Sequence, residues 1–309
     1  MRLDVAMKHK NDLVVKSNSL VEASYRLSLV EQRIILFAVT EARRTEKGLS
    51  EANELEIQAV DYADMFNVPE NHAYEQLKEA GETLFQRYVV LRGIDPKTGK
   101  EDMMKVRWVS SARYVPGAGT IYLRFSHSMV PYITRLEKEF TRYRLEKIAD
   151  MSSVYAIRLY ELLVQWGSVG EREIELEWLK KTLMVDKDYP RIYDFKKWVI
   201  DVAVEQINRC SDLTAIYTQR KTGRTVTHFI FTFKSKDVPK EDKKTSQKPK
   251  AIKNDFEKCK ATPEEQAVEF LKNDERYNRR YPNTSPHIAW RTPKIWEEFE
   301  EAFAEWNRM

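Results

Sequence analysis

Between Tyr189 and Phe233 a basic amphipathic stretch runs directly into two alternating segments joined by a short glycine turn. The first part, from Arg191 to Asn208, places Ile192, Phe195, Val199, Val202 and Ala203 on one helical stripe that must pack on a core. Tyr193, Lys196, Lys197 and Ile200 fall off that stripe and are expected to face outward. The second part pairs Leu213–Arg220 with Thr225–Phe233 across the turn Lys221-Thr222-Gly223-Arg224. Thr227, Phe229, Phe231 and Phe233 alternate onto one face, which would cover the core. A helix followed by a two-stranded flap with a basic tip is the reading half of a winged helix, which lays one helix in the major groove of DNA. An amphipathic surface helix beside a solubilising turn gives the same pattern, so the rest of the chain has to discriminate.

Charge favours the nucleic-acid reading through its position. The net charge over all 309 residues is only +4, but Lys187–Lys236 alone holds ten basic and five acidic residues. A local surplus is the footprint expected for phosphate contacts. No run approaches the ~20 apolar residues of a membrane span, and the first residues carry no apolar leader, so no membrane partner and a cytoplasmic location are expected. Two cysteines, Cys210 and Cys259, leave no disulfide framework.

Along the chain, residues 1–19 read as a flexible polar arm. Residues 21–44 follow a helical period through Leu27, Val30, Ile34, Phe37 and Ala38, burying one face. A short strand from Glu54 leads into a helix from Ala59. A second helix follows Pro69, with Tyr74, Leu77, Ala80, Gly81 and Leu84 turned inward. Strands are expected at 88–91, 104–113 and 120–125, and a connecting helix at 129–140. Ser152 or Ser153 can cap a helix running to Trp166. A strand from Glu173 and a helix from Trp178 then precede the basic helix and its flap. Residues 237–261 form a lysine-rich linker, and 262–309 a helical extension.

The order of elements repeats, and so do residues. Glu54-Leu-Glu-Ile-Gln-Ala-Val matches Glu173-Ile-Glu-Leu-Glu-Trp-Leu, and Lys97-Thr98-Gly99-Lys100 matches Lys221-Thr222-Gly223-Arg224, at offsets of 119 and 124. Two related modules, over residues 20–135 and 136–236, are therefore expected, an α+β chain with a helical C-terminal extension. The second is the main DNA reader. The first is less suited, because Glu70, Glu75, Glu79 and Glu82 face outward beside only Lys78 and Arg87. Glutamates weaken binding to a phosphate-lined groove. That module either supports DNA through Lys97, Lys100 and its backbone or contacts protein.

Catalytic and metal patterns are missing. The five histidines form neither H-x-H nor H-E-x-x-H. Gly93 to Lys100 has five residues between its glycines, and Glu101 stands where a phosphate loop needs Ser or Thr. The Lys-Thr-Gly triplets lack a Ser-x-x-Lys partner. No enzyme, cofactor or metal is expected.

Several segments resemble the theta-type (iteron) plasmid replication initiators: Leu20-Val-Glu-Ala-Ser-Tyr-Arg-Leu-Ser, Glu31-Gln-Arg-Ile-Ile-Leu, Tyr155-Ala-Ile-Arg-Leu-Tyr-Glu-Leu-Leu, Asp194-Phe-Lys-Lys, Glu205-Gln-Ile-Asn and the run from Gly223 to Phe233. They span about residues 20–234. The resemblance implies two tandem winged-helix domains. It further implies a monomer that binds directly repeated iterons at a plasmid origin, helps open A·T-rich DNA, and recruits the host initiator and the replicative helicase. A homodimer paired through the first domain would repress the protein's own gene at an inverted-repeat operator. Carried onto this chain, Arg191, Tyr193, Lys196 and Lys197 would read bases, while Lys221, Arg224 and Lys234 would touch backbone. Trp198 stands where the family often has a third basic residue. A repressor without a replication role, and an origin-nicking enzyme, are the alternatives.

Overall fold

The computed structural model describes residues 12–236, except positions 96, 116, 135 and 137, together with 271, 275–280, 298–299 and 302–303. It divides into two units, Met1–Lys240 and Glu241–Met309. In the second, Leu271, Tyr277 and Phe299 form a small buried cluster beside a helix over Glu275–Arg280. The linker 237–261 and most of the extension lie outside the described residues.

The first unit is built on a helix that is buried all round. It spans Leu29–Thr45 (α2), and every residue from Glu31 to Ala42 is buried. Such a helix needs partners on all sides, so the expected one-sided burial is corrected. Its start is also later than the hydrophobic period suggests. Ser24–Tyr25 (β2) is a strand paired with Val90 and Val89, and Ser28 closes a capping box with Glu31. The same Glu31 receives Arg87 Nε at 2.7 Å.

Residues 12–19 are not an arm. Leu13–Ser17 (β1) pairs antiparallel with Phe140–Arg144 (β8), and Asn18–Val21 (α1) is a short helix capped by Ser17. The reason is apolar: Val14 and Val15 are buried, and with them Lys16, whose Nζ meets Glu161 at 2.5 Å. Residues 1–11 lie outside the described residues.

The first module runs from Leu55–Gln58 (β3) straight into Ala59–Phe66 (α3), then to Glu70–Thr83 (α4). Hairpin Tyr88–Ile94 (β4) and Glu101–Arg107 (β5) follows, then hairpin Val109–Val115 (β6) and Thr120–Phe125 (β7). The strand expected over 104–113 is thus two strands in different sheets. Trp108, fully buried between them, forces the break. The connecting helix expected over 129–140 is only a 3-10 turn, Val130–Tyr132, and Phe140 already belongs to β8. Val154–Val164 (α5) begins at Ser153, whose hydroxyl makes no cap; Gln206 Oε1 accepts from the Ser152 and Ser153 amides instead.

The second module repeats the topology: Glu171–Glu175 (β9) enters Leu176–Thr182 (α6), and a helix then leads to Leu213–Thr222 (β10) and Thr225–Ser235 (β11). The strand orders are β3-β7-β6 and β9-β11-β10. Duplication is therefore visible in the pairing, but the residue matches are corrected. Leu176, matched to Ile57, starts α6, whereas Ile57 is still in β3. The Lys97–Lys100 turn closes β4–β5, which pairs with β2, so it has no counterpart in the second module. The hairpin equivalent to β10–β11 is β6–β7, whose turn carries Gly117, Ala118 and Gly119 and no lysine.

Candidate nucleic-acid interface

The helix of the second module (α7) is α-helical over Ile192–Phe195, π-helical over Lys196–Ile200 and α-helical again over Asp201–Cys210. Adjacent residues of a regular helix diverge by about 100°; Val199 and Ile200, at the end of the wider π turn, are both buried, and the expected outward position of Ile200 is corrected. Arg191 and Lys197 stay exposed, as do Tyr193 at 68% and Trp198 at 54%. Lys196 is half-buried, its Nζ 5.9 Å from the centre of the Tyr217 ring.

Side chains fix this helix on its wing at three levels. Near its start, Phe195 packs on Phe229 with ring centres 6.2 Å apart. In the middle, the Tyr217 hydroxyl donates to Asp201 Oδ1 at 2.5 Å. Burial, then the Asp201 carboxylate, pushes the Tyr217 hydroxyl well above its ordinary pKa, which keeps it a donor. At the C-terminal end, Asn208 bonds both backbone groups of Ala215, and Lys236 Nζ donates to the Asn208 and Ser211 carbonyls at 2.6 Å.

The wing presents Phe229, Phe231 and Phe233 to the core, with Thr227 half-buried. Its turn is tight, Gly223 taking φ +62° as a two-residue hairpin loop requires. Lys221 and Arg224 are exposed there. Phe229, on which the start of α7 packs, stands five positions from Arg224, about 17 Å along the strand at ~3.3 Å per residue. Lys234 is exposed at the opposite end of β11, beside the C-terminal end of α7, and does not join the tip. Among the described residues, Arg191, Lys196, Lys197, Lys221, Arg224 and Lys234 form no ion pair. Arg220, by contrast, is held by Glu173 at 2.8 Å.

The first module offers a different surface. Glu70, Glu75, Lys78, Glu79 and Glu82 are all exposed on α4. Tyr74 is exposed too, correcting its inward placement; its ring lies across the β6–β7 turn against Gly119. Lys97 and Lys100 are exposed on the β4–β5 turn, where Asp95 accepts from the Lys97 and Thr98 amides. Those bonds, Thr98 first, hold the Asp95 carboxyl below its ordinary pKa. Arg191, Tyr193, Lys196 and Lys197 thus share the first part of α7, and Lys221 and Arg224 the wing tip of the same module, whereas Lys234 stands at the other end of β11 and Lys78, Lys97 and Lys100 in the first module.

Asp201, Tyr217, Asn208 and Lys236 position the helix and carry no motif that sequence reading could single out. No group of His, Cys, Asp or Glu among the described residues could hold a metal ion. No described helix is long and apolar enough to cross a membrane.

Comparison with known proteins gives a consistent picture. Residues 13–164 match the family model for the initiator replication protein WH1 domain, and residues 175–233 that for the initiator Rep protein WH2 domain. The first match extends on both sides of 20–135, as the β1–β8 pairing and the Arg33 bonds to the Ala149 and Met151 carbonyls require. A replication initiation protein of Escherichia coli is 26% identical over 225 residues, covering 71% of this chain and 68% of that protein. An uncharacterised 27.6 kDa protein of Escherichia coli is 28% identical over 240 residues, covering 75% and 98%. The crystal structure of the Pi initiator protein in complex with iteron DNA superposes with a TM-score of 0.61 at 24% identity, covering 74% of this chain and 99% of that one.

Proposed function

This chain belongs to the plasmid replication initiators with two winged-helix domains, and from that premise we propose that it binds directly repeated iterons at its origin, chiefly through α7 and the β10–β11 wing. The observation that carries the reading is the set of basic side chains at the exposed start of α7 and at the wing tip that form no ion pair among the described residues. Cations without carboxylate partners lose nothing when they meet phosphates, and they release counterions from the duplex. The structurally similar Pi initiator was crystallised with iteron DNA. Arg191, Tyr193, Lys196 and Lys197 face the groove and read bases, Lys196 and Lys197 also meeting the phosphates beside it, while Lys221 and Arg224 hold backbone. Lys78, Lys97, Lys100 and Lys234 make peripheral backbone contacts at most.

The acidic α4 suits the first module to protein partners, and we assign it the contacts with the host initiator and the replicative helicase. A dimer through the same module is favoured by the sheet order β2-β4-β5, which leaves β5 as an edge strand with Met103 and Met104 exposed. Such a dimer would bind an inverted repeat and repress the protein's own gene. The protein acts in the cytoplasm and without catalysis: supercoiled origin DNA with magnesium should stay un-nicked.

The test is replication itself. The gene and its flanking DNA, joined to a marker without an origin, should be maintained as a plasmid. Recovery of no plasmids while the promoter is still repressed would leave a repressor alone.

A further inference from the structure

We propose that Trp198 reads thymine, packing its indole against 5-methyl groups in the major groove; this rests on α7 being the helix that enters the groove. Tryptophan is a highly buried residue on average, yet Trp198 is 54% exposed in the first half of this helix. It sits in the π segment, where Val199 and Ile200 both turn into the core and Trp198 alone of the apolar residues is left outside. Lys197 Nζ stands 4.7 Å from the centre of its ring, a cation–π contact that steadies the indole and places a cation beside it.

The surroundings decide what the indole meets. Arg191, Lys196 and Lys197 have no ion-pair partners among the described residues, so this is a surface made for a polyanion. An apolar protein patch would have to desolvate all three charges. Within the major groove the thymine methyl is the apolar group on display, and apolar side chains read it. The helix therefore carries two kinds of reader, cations for purine acceptors and an aromatic for thymine.

Duplexes selected from a random library by the full chain provide the probe, each thymine being replaced in turn by deoxyuridine, which lacks only the methyl. Wild type should lose roughly fourfold in affinity at about one or two positions, the value of one buried methyl-sized group. Trp198→Ala should lose a similar factor on the thymine duplex and nothing more on the uracil duplex. Trp198→Arg, with a steeper salt dependence, should be equally indifferent to the methyl. If wild type ignores the methyl at every thymine, or if either variant stays sensitive to it, the thymine assignment is overturned while sequence-selective binding stands. If no sequence is enriched at all, the DNA reading of α7 falls, and the thymine assignment with it.

Discussion

The backbone amide of Asp201 donates its hydrogen bond to the carbonyl of Lys196, five residues earlier. That i→i−5 bond widens one turn of α7 at the place where the basic residues stand. It draws Ile200 inward beside Val199 and leaves Lys197 and Trp198 facing out. The pitch of one turn thus sets which side chains reach a ligand.

Replacing Lys196 and Lys197 together by alanine should weaken DNA binding and flatten its salt dependence. Each lost phosphate contact removes about 0.9 from the slope of log affinity against log salt. Titrations at four or five salt concentrations measure it; an unchanged slope with lower affinity assigns both lysines to bases alone.

The buried cluster between β1 and α5 should govern stability. Glu161 is the carboxylate for both Lys16, at 2.5 Å, and Arg158, at 3.6 Å, and it accepts from the Tyr143 hydroxyl at 2.6 Å. Glu161→Gln leaves two buried cations uncompensated, a loss of about 3–5 kcal/mol. Denaturant unfolding checks this, and Lys16→Met in the same chain should recover part of the loss.

Glycine at the β6–β7 turn should be far less replaceable at 119 than at 117. Both have positive φ, but a methyl on Gly119 would lie 1.8 Å from Tyr74 Cε1, whereas nothing stands near Gly117. Gly119→Ala should cost about 1–3 kcal/mol more than Gly117→Ala. Adding Tyr74→Ala should close most of that gap in melting temperature.

Above pH 10 the fold should weaken steadily. Burial raises the pKa of Tyr62 to about 12 and pushes those of Tyr143 and Tyr160 well above the ordinary tyrosine value. Each stays protonated in the folded chain after it has ionised in the unfolded one near pH 10. The unfolded state then binds fewer protons, so stability falls as pH rises. Tyr62→Phe should be less stable at neutral pH, having lost its bond to Gln76, but should lose less between pH 10 and 12.

What could be read in the sequence was whatever local periodicity controls. The stripe through Ile192, Phe195 and Val199 and the alternation of Phe229, Phe231 and Phe233 depend on near neighbours, and the structure buries all of them but Ile192, which is half-buried against the same core. Ile200 was misplaced because a π turn has no sequence mark. Residues 13–17 resembled an arm because their partner, β8, lies over 120 residues away. The Lys-Thr-Gly turns looked equivalent because a turn's chemistry says nothing of which strand its hairpin joins. The resemblance alone groups Lys234 with Lys221 and Arg224, and an extended strand of ten residues separates it from Arg224 by roughly 33 Å.

The most direct test is photocrosslinking from a benzophenone side chain at position 197, at position 224 or at position 78, in full-length chain bound to a selected duplex. Crosslinks from 197 to bases and from 224 to the flanking backbone, with none from 78, are predicted. Strong crosslinking from 78 with none from 197 or 224 would contradict the placement of the DNA on the second module.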